Sequence, residues 1–84
     1  MGLSYSYALS EQACEFAFRL PRAEQRRLAK SFRLLASLPF QTGDYTATDD
    51  EGRNLQNLLI DDWVITYWAD HAMKELRITE VAQV

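Results

Sequence analysis

Cysteine, proline and glycine are all scarce in this chain, which has one Cys, two Pro and three Gly in 84 residues. A lone Cys14 excludes an internal disulfide framework and a cysteine-rich zinc module, and it fits a reducing compartment. There is no glycine-rich phosphate loop, no His-x-x-x-His or Cys-x-x-Cys ligand pair and no nucleophile elbow, so no metal or nucleotide cofactor is expected. No apolar run approaches a membrane span, and Met1-Gly2-Leu3-Ser4-Tyr5 lacks the basic stretch and apolar core of a signal peptide. The expectation is a soluble, cytoplasmic protein without membrane contact. Gly2 followed by Ser6 superficially fits a myristoylation pattern, but that segment reads better as a strand.

What is present is foldable: 48% hydrophobic and 25% charged residues is the balance of a globular domain, not of a disordered tail. At this length one domain, 1–84, with one core is expected. Such a short chain buries roughly 60–65% of its unfolded surface, which leaves modest stability open to support from a partner. The net charge is −3 and is unevenly spread. Arg19, Arg22, Arg26, Arg27, Lys30 and Arg33 lie close together, whereas most of the acids lie from Asp44 onward. An acidic balance counts against a free-standing nucleic-acid binder, whose affinity comes largely from neutralising phosphates.

Along the chain, Tyr5, Tyr7 and Leu9 alternate over a short strand from Ser4 to Leu9. Ser10 supplies an N-cap, and Ala13, Phe16, Ala17 and Leu20 follow at helical spacing, predicting a helix over Glu11 to Leu20. Pro21 breaks that helix and can open the next. Leu28, Phe32 and Leu35 form the apolar stripe of a second helix from Arg22 to Leu38, stopped by Pro39. The segment from Phe40 to Gly52 reads as a loop with a short strand around Tyr45 to Thr48. Arg53 to Ile60, Trp63 to Ala69 and Lys74 to Val81 are three strands whose short connections imply an antiparallel meander.

The middle of these strands carries Trp63, Ile65 and Tyr67 on one face and Val64, Thr66 and Trp68 on the other. Two helices cover one face of a sheet only, which leaves Val64, Trp68 and part of Leu58 or Ile60 for something else. Two readings stay open: a central strand partly covered by the long loop, or a groove for a second polypeptide. His71, the sole histidine, sits beside Asp70 in a turn, where an exposed turn residue is the ordinary reading and a catalytic one the sharper. Asp49-Asp50-Glu51 reads as a solvated charge run. The basic residues of the second helix read first as its solvated face, although they could meet phosphates or an acidic protein.

Tyr5-Ser6-Tyr7-Ala8-Leu9-Ser10-Glu11-Gln12-Ala13, then Phe16, Leu20-Pro21, Arg27, Leu28, Phe32, Leu35-Ala36 and Pro39, resemble the opening of RelE/ParE-superfamily toxins. Asp62-Trp63-Val64-Ile65-Thr66-Tyr67 and Glu75-Leu76-Arg77-Ile78 look like that family's closing strands. The resemblance spans nearly the whole chain. It implies an α+β fold of order β-α-α-β-β-β, with a helical hairpin packed on one face of a small, mainly antiparallel sheet. It also implies a toxin of a type II toxin–antitoxin system, of the kind linked to plasmid stabilisation, with a cognate antitoxin as partner. RelE-like members cut mRNA on the ribosome through basic side chains of the exposed sheet face, whereas ParE-like members poison gyrase.

The family's third-strand arginine position is Val64 here, and no terminal Tyr or His precedes Val84. Arg53, Lys74, Arg77 and His71 are the remaining catalytic candidates. The expected partner-binding residues are Leu58, Val64, Thr66, Trp68 and Arg77. These departures imply action by protein binding, on a target such as gyrase, before ribosome-dependent RNA cleavage. A degenerate, non-toxic interaction module, able to pair as a homodimer, is the further alternative.

Overall fold

The structure is a computed structural model that describes residues 5–84. Gly2 and the expected strand start at Ser4 lie outside the described residues. Five strands and two helices follow in the order β1 (Ser6–Leu9), α1 (Glu11–Phe18), α2 (Arg22–Ser37), β2 (Tyr45–Thr48), β3 (Asn54–Ile60), β4 (Trp63–Asp70) and β5 (Glu75–Gln83). The strands form one sheet in the order β1-β5-β4-β3-β2, with β1 parallel to β5 and every other pair antiparallel. This is the expected α+β arrangement, with the short strand around Tyr45 pairing as a hairpin on β3.

Local chemistry sets the helix boundaries. Ser10 Oγ accepts the Ala13 N–H at 3.1 Å and donates to the Thr79 carbonyl at 2.7 Å, capping α1 and tying it to β5. α1 ends at Phe18, earlier than the apolar spacing predicts, because the Arg19 and Leu20 N–H groups tighten onto the Phe16 and Ala17 carbonyls. Pro21 stands at the N-cap of α2 without a side-chain cap. Gln12 fastens α1 down by two bonds of 3.0 Å, its amide donating to the Val81 carbonyl and accepting the Val81 N–H.

The core lies between the helices and one sheet face. Ala13, Leu28, Phe32 and Leu35 pack on Trp63, Ile65, Tyr67, Leu76, Ile78 and Val81, all buried. Leu76 and Ile78 alternate as expected, but Val81 comes three residues later. A bulge explains this: Thr66 pairs with Glu80 and Tyr67 with Ile78, which leaves Thr79 as the extra residue and returns Val81 to the helix side. Tyr67 also donates to the Gln41 carbonyl at 3.0 Å, anchoring the loop after α2, and burial pushes its phenol pKa up.

The register corrects one expectation. Leu58 pairs with Ile65 and Ile60 with Trp63, so both face the helices and pack against the core. Leu59, opposite Val64, occupies the other face.

Gly43 offers a direct check of the loop's close approach to β3. A Cβ there would sit 2.5 Å from the Asn57 carbonyl oxygen, which is backbone and cannot swing away. Gly43→Ala is expected to lower unfolding free energy by about 1–3 kcal/mol in urea titration. Gly52→Ala, with φ +81° but nothing within 4 Å, should cost only backbone strain, about 1 kcal/mol.

Candidate functional site

The sheet face turned away from the helices carries Val64, Thr66 and Trp68 from β4, Arg77, Glu80 and Ala82 from β5, and Asn57 and Leu59 from β3. Trp68 is its centre. The Arg53 guanidinium carbon lies 4.7 Å from the indole centroid, and the Arg77 guanidinium carbon lies 5.9 Å from it. Cations at such distances are attracted to the indole ring, and their aliphatic stems also cover apolar surface. Val64 and Trp68 are half-buried, not sealed.

Both arginines are already matched by carboxylates. Arg53 Nε bonds Asp49 Oδ2 at 2.8 Å, and an Arg53 Nη reaches Glu51 Oε1 at 3.0 Å. Arg77 Nε reaches Glu75 Oε1 at 3.1 Å, with Asp70 Oδ2 at 4.0 Å. Asp49 also organises its own loop, its Oδ1 accepting the Glu51 and Arg53 N–H groups at 2.9 Å each. Two of the three acids that read as a solvated run, Asp49 and Glu51, therefore hold Arg53 in place.

The Arg53 backbone N–H is the main force holding the Asp49 carboxyl below its ordinary range, followed by the Arg53 side chain and the Glu51 N–H. Asp49 in turn raises the Arg53 guanidinium.

Two shallow clefts border Trp68. One, of about 230 Å³, is lined by Leu9, Ser10, Arg53, Trp68, Arg77 and Thr79. The other, of about 360 Å³, includes Phe40, Gln41, Arg53, Gln56, Trp68 and His71. His71 is exposed, stacked on Phe40 at 4.8 Å, with Nδ1 at 2.8 Å from the Tyr5 hydroxyl. Of the four basic candidates, Arg53 and Arg77 thus converge on Trp68, and His71 shares a cleft with Arg53. Lys74 stands in the β4–β5 turn at φ 52° and lines neither cleft.

Sequence reasoning missed Asn57, Leu59 and Tyr45. Tyr45 lies on the same face through its pairing with Asn57 and is half-exposed, as is Leu59. Asn57 is buried beneath that face: its Oδ1 accepts the Thr66 hydroxyl at 2.7 Å, and its Nδ2 has no protein partner. The signal was available by counting pairs outward from the Asp61-Asp62 turn. No single residue carries it.

No protein-family pattern matches the chain, and no curated protein is similar to it in sequence. Solved structures are similar in shape. A chain of the archaeal RelE–RelB complex of Pyrococcus horikoshii superposes with TM-score 0.71 at 18% identity, over 95% of this chain and 94% of that one. The RelBE2 toxin–antitoxin complex of Mycobacterium tuberculosis gives 0.78 at 15% identity, over 96% and 92%. The isolated Escherichia coli RelE toxin gives 0.75 at 12% identity, over 96% and 85%. The chain has the RelE toxin fold. On this RelE-like sheet the uncovered face is the one that holds Trp68 and its two arginines.

The Asp49 clamp predicts a titration. Because its carboxyl is depressed in the fold, Asp49 contributes stability at pH above its unfolded value of about 3.9, and that contribution is lost as pH falls toward the folded value. Side-chain NMR should find Asp49 titrating below the ordinary aspartate value of about 3.9. Arg53→Ala should raise it only part of the way, since the backbone donors of residues 51 and 53 remain; full return to an ordinary value would contradict the loop geometry.

Proposed function

We propose that this chain is the toxin-like component of a bacterial toxin–antitoxin pair, bound by a cognate antitoxin whose segment covers the open sheet face around Trp68. It acts on its cellular target by protein binding. The fold supports the first part: solved chains similar to it include RelE toxins held in complexes with RelB antitoxins. The observation that carries the second part is the neutralisation of Arg53 and Arg77. Phosphoryl transfer is driven by cationic groups aimed at developing charge, and removing one such group costs about 3–4 kcal/mol of transition-state stabilisation. Here each guanidinium on the open face is held by carboxylates and lies against an indole ring. A face of half-buried Val64 and Trp68 with exposed Leu59 and Tyr45 suits an apolar peptide segment better than a phosphate backbone.

The convergence of Arg53 and Arg77 on one aromatic ring is what favours the second reading, a ribosome-dependent mRNA endonuclease. It requires both side chains to leave their carboxylates when RNA arrives.

Induced expression in a bacterial host separates the readings. Growth arrest with intact transcripts, relieved by co-expression of the cognate antitoxin, is expected. Trp68→Ala should weaken that protein's hold by at least about tenfold, the scale of a central aromatic contact at an interface. Rapid transcript loss that disappears in Arg77→Ala establishes the endonuclease instead. No arrest and no partner leaves the non-toxic interaction module.

A further inference from the structure

Phe18, the last residue of α1, is 82% exposed, more than any other large aromatic among the described residues. It stands at the edge of an apolar cleft of about 260 Å³ between the helices, lined also by Leu9, Cys14, Ala17, Gln25 and Ala29. The corner that presents it is fixed. Gln25 Nε2 donates to the Leu20 carbonyl at 3.1 Å and to the Phe18 carbonyl at 3.4 Å, satisfying groups the end of α1 leaves free. The backbone that carries Phe18 is thus fixed, and the side chain projects from it into solvent.

Charge around this cleft has a direction. Glu11 and Glu15 are exposed on α1, and Arg19, Arg22 and Arg26 are exposed at its far end and at the start of α2. Among the described residues none of these five makes an ion pair within the chain. Acid therefore lies at one end of the surface, base at the other, and Phe18 stands toward the basic end.

We propose that this surface is where two copies of the chain meet across a two-fold axis, each Phe18 seated in the other's interhelical cleft. A two-fold operation running α1 antiparallel to its mate about Phe18 brings the Glu11–Glu15 end of one copy against the Arg19–Arg22 end of the other. An isologous contact needs such a self-complementary patch, carrying both knob and hole with opposite charges at its two ends. The charge pattern favours a second copy over a partner of one sign, because an acidic partner would meet Glu11 and Glu15 and a basic one the arginines. This contact lies on the helical side of the sheet, and Leu9 at the sheet edge borders both its cleft and the smaller cleft beside Trp68.

Sedimentation of the full chain, from low micromolar to submillimolar concentration, tests it. A monomer–dimer equilibrium weakened by salt is expected. Phe18→Ser should be monomeric yet unfold at nearly the same temperature, because an exposed side chain contributes little to the isolated fold. Glu15→Arg or Arg22→Glu alone should each weaken the dimer roughly tenfold by placing like charges together, and the two combined should restore it. These surface exchanges keep the test alive if Phe18→Ser folds poorly. A wild type that stays monomeric throughout, including one whose cleft fills only with a different protein, overturns the proposal. So does a dimer indifferent to all three changes.

Discussion

Two helices can shield one face of a five-stranded sheet, and β4 at its centre is apolar on both. That mismatch organises the molecule. On the helix side Trp63, Ile65 and Tyr67 are buried against Leu28, Phe32 and Leu35. On the other side no second layer exists among the described residues, and the chain covers Trp68 with the flat guanidinium groups of Arg53 and Arg77. Arginine suits this because it is weakly hydrated, stacks on aromatic faces and still offers donors at its rim. Those donors are met by Asp49, Glu51 and Glu75, so the face is closed electrically while remaining open sterically.

The same economy bears on chemistry. A sheet that exposed free arginines would present a field for phosphates; one whose arginines are spent on an indole and on carboxylates presents a partly apolar platform with acids in excess of bases. The chain carries a net charge of −3, with most of its basic residues between Arg19 and Arg33 and most of its acids from Asp44 onward. Arg27 shows how α2 is tied to the sheet: its guanidinium carbon lies 5.2 Å from the Trp63 centroid, and it bonds Glu24 and Asp61. These exposed pairs orient side chains more than they stabilise the fold.

Much of the fold was legible because its signals are local. Ser10, Pro21 and Pro39 mark helix ends through hydrogen bonds and sterics within a few residues, and the stripe Leu28, Phe32, Leu35 has a helical period. The RelE-like likeness was legible as spaced pieces of pattern across the chain, at a level of identity, 12–18%, where only shape is otherwise conspicuous. What stayed hidden is non-local. The side chosen by Leu58 depends on pairing with Ile65, and a one-residue slip of register turns every side chain over. The bulge at Thr79 is set by β4, and the grip of Asp49 on Arg53 by a loop with no periodicity. Neither can be read from composition.

Solvent footprinting of the open face tests the central claim most directly. Oxidative labelling of the chain alone and of the chain co-purified with the proposed antitoxin reports the exposure of individual side chains. Trp68, Leu59 and Tyr45 should be labelled in the isolated chain and protected in the complex, with Met73 unchanged. Equal labelling of Trp68 in both states would contradict the account, because the face its two arginines share would then not be the one a partner covers.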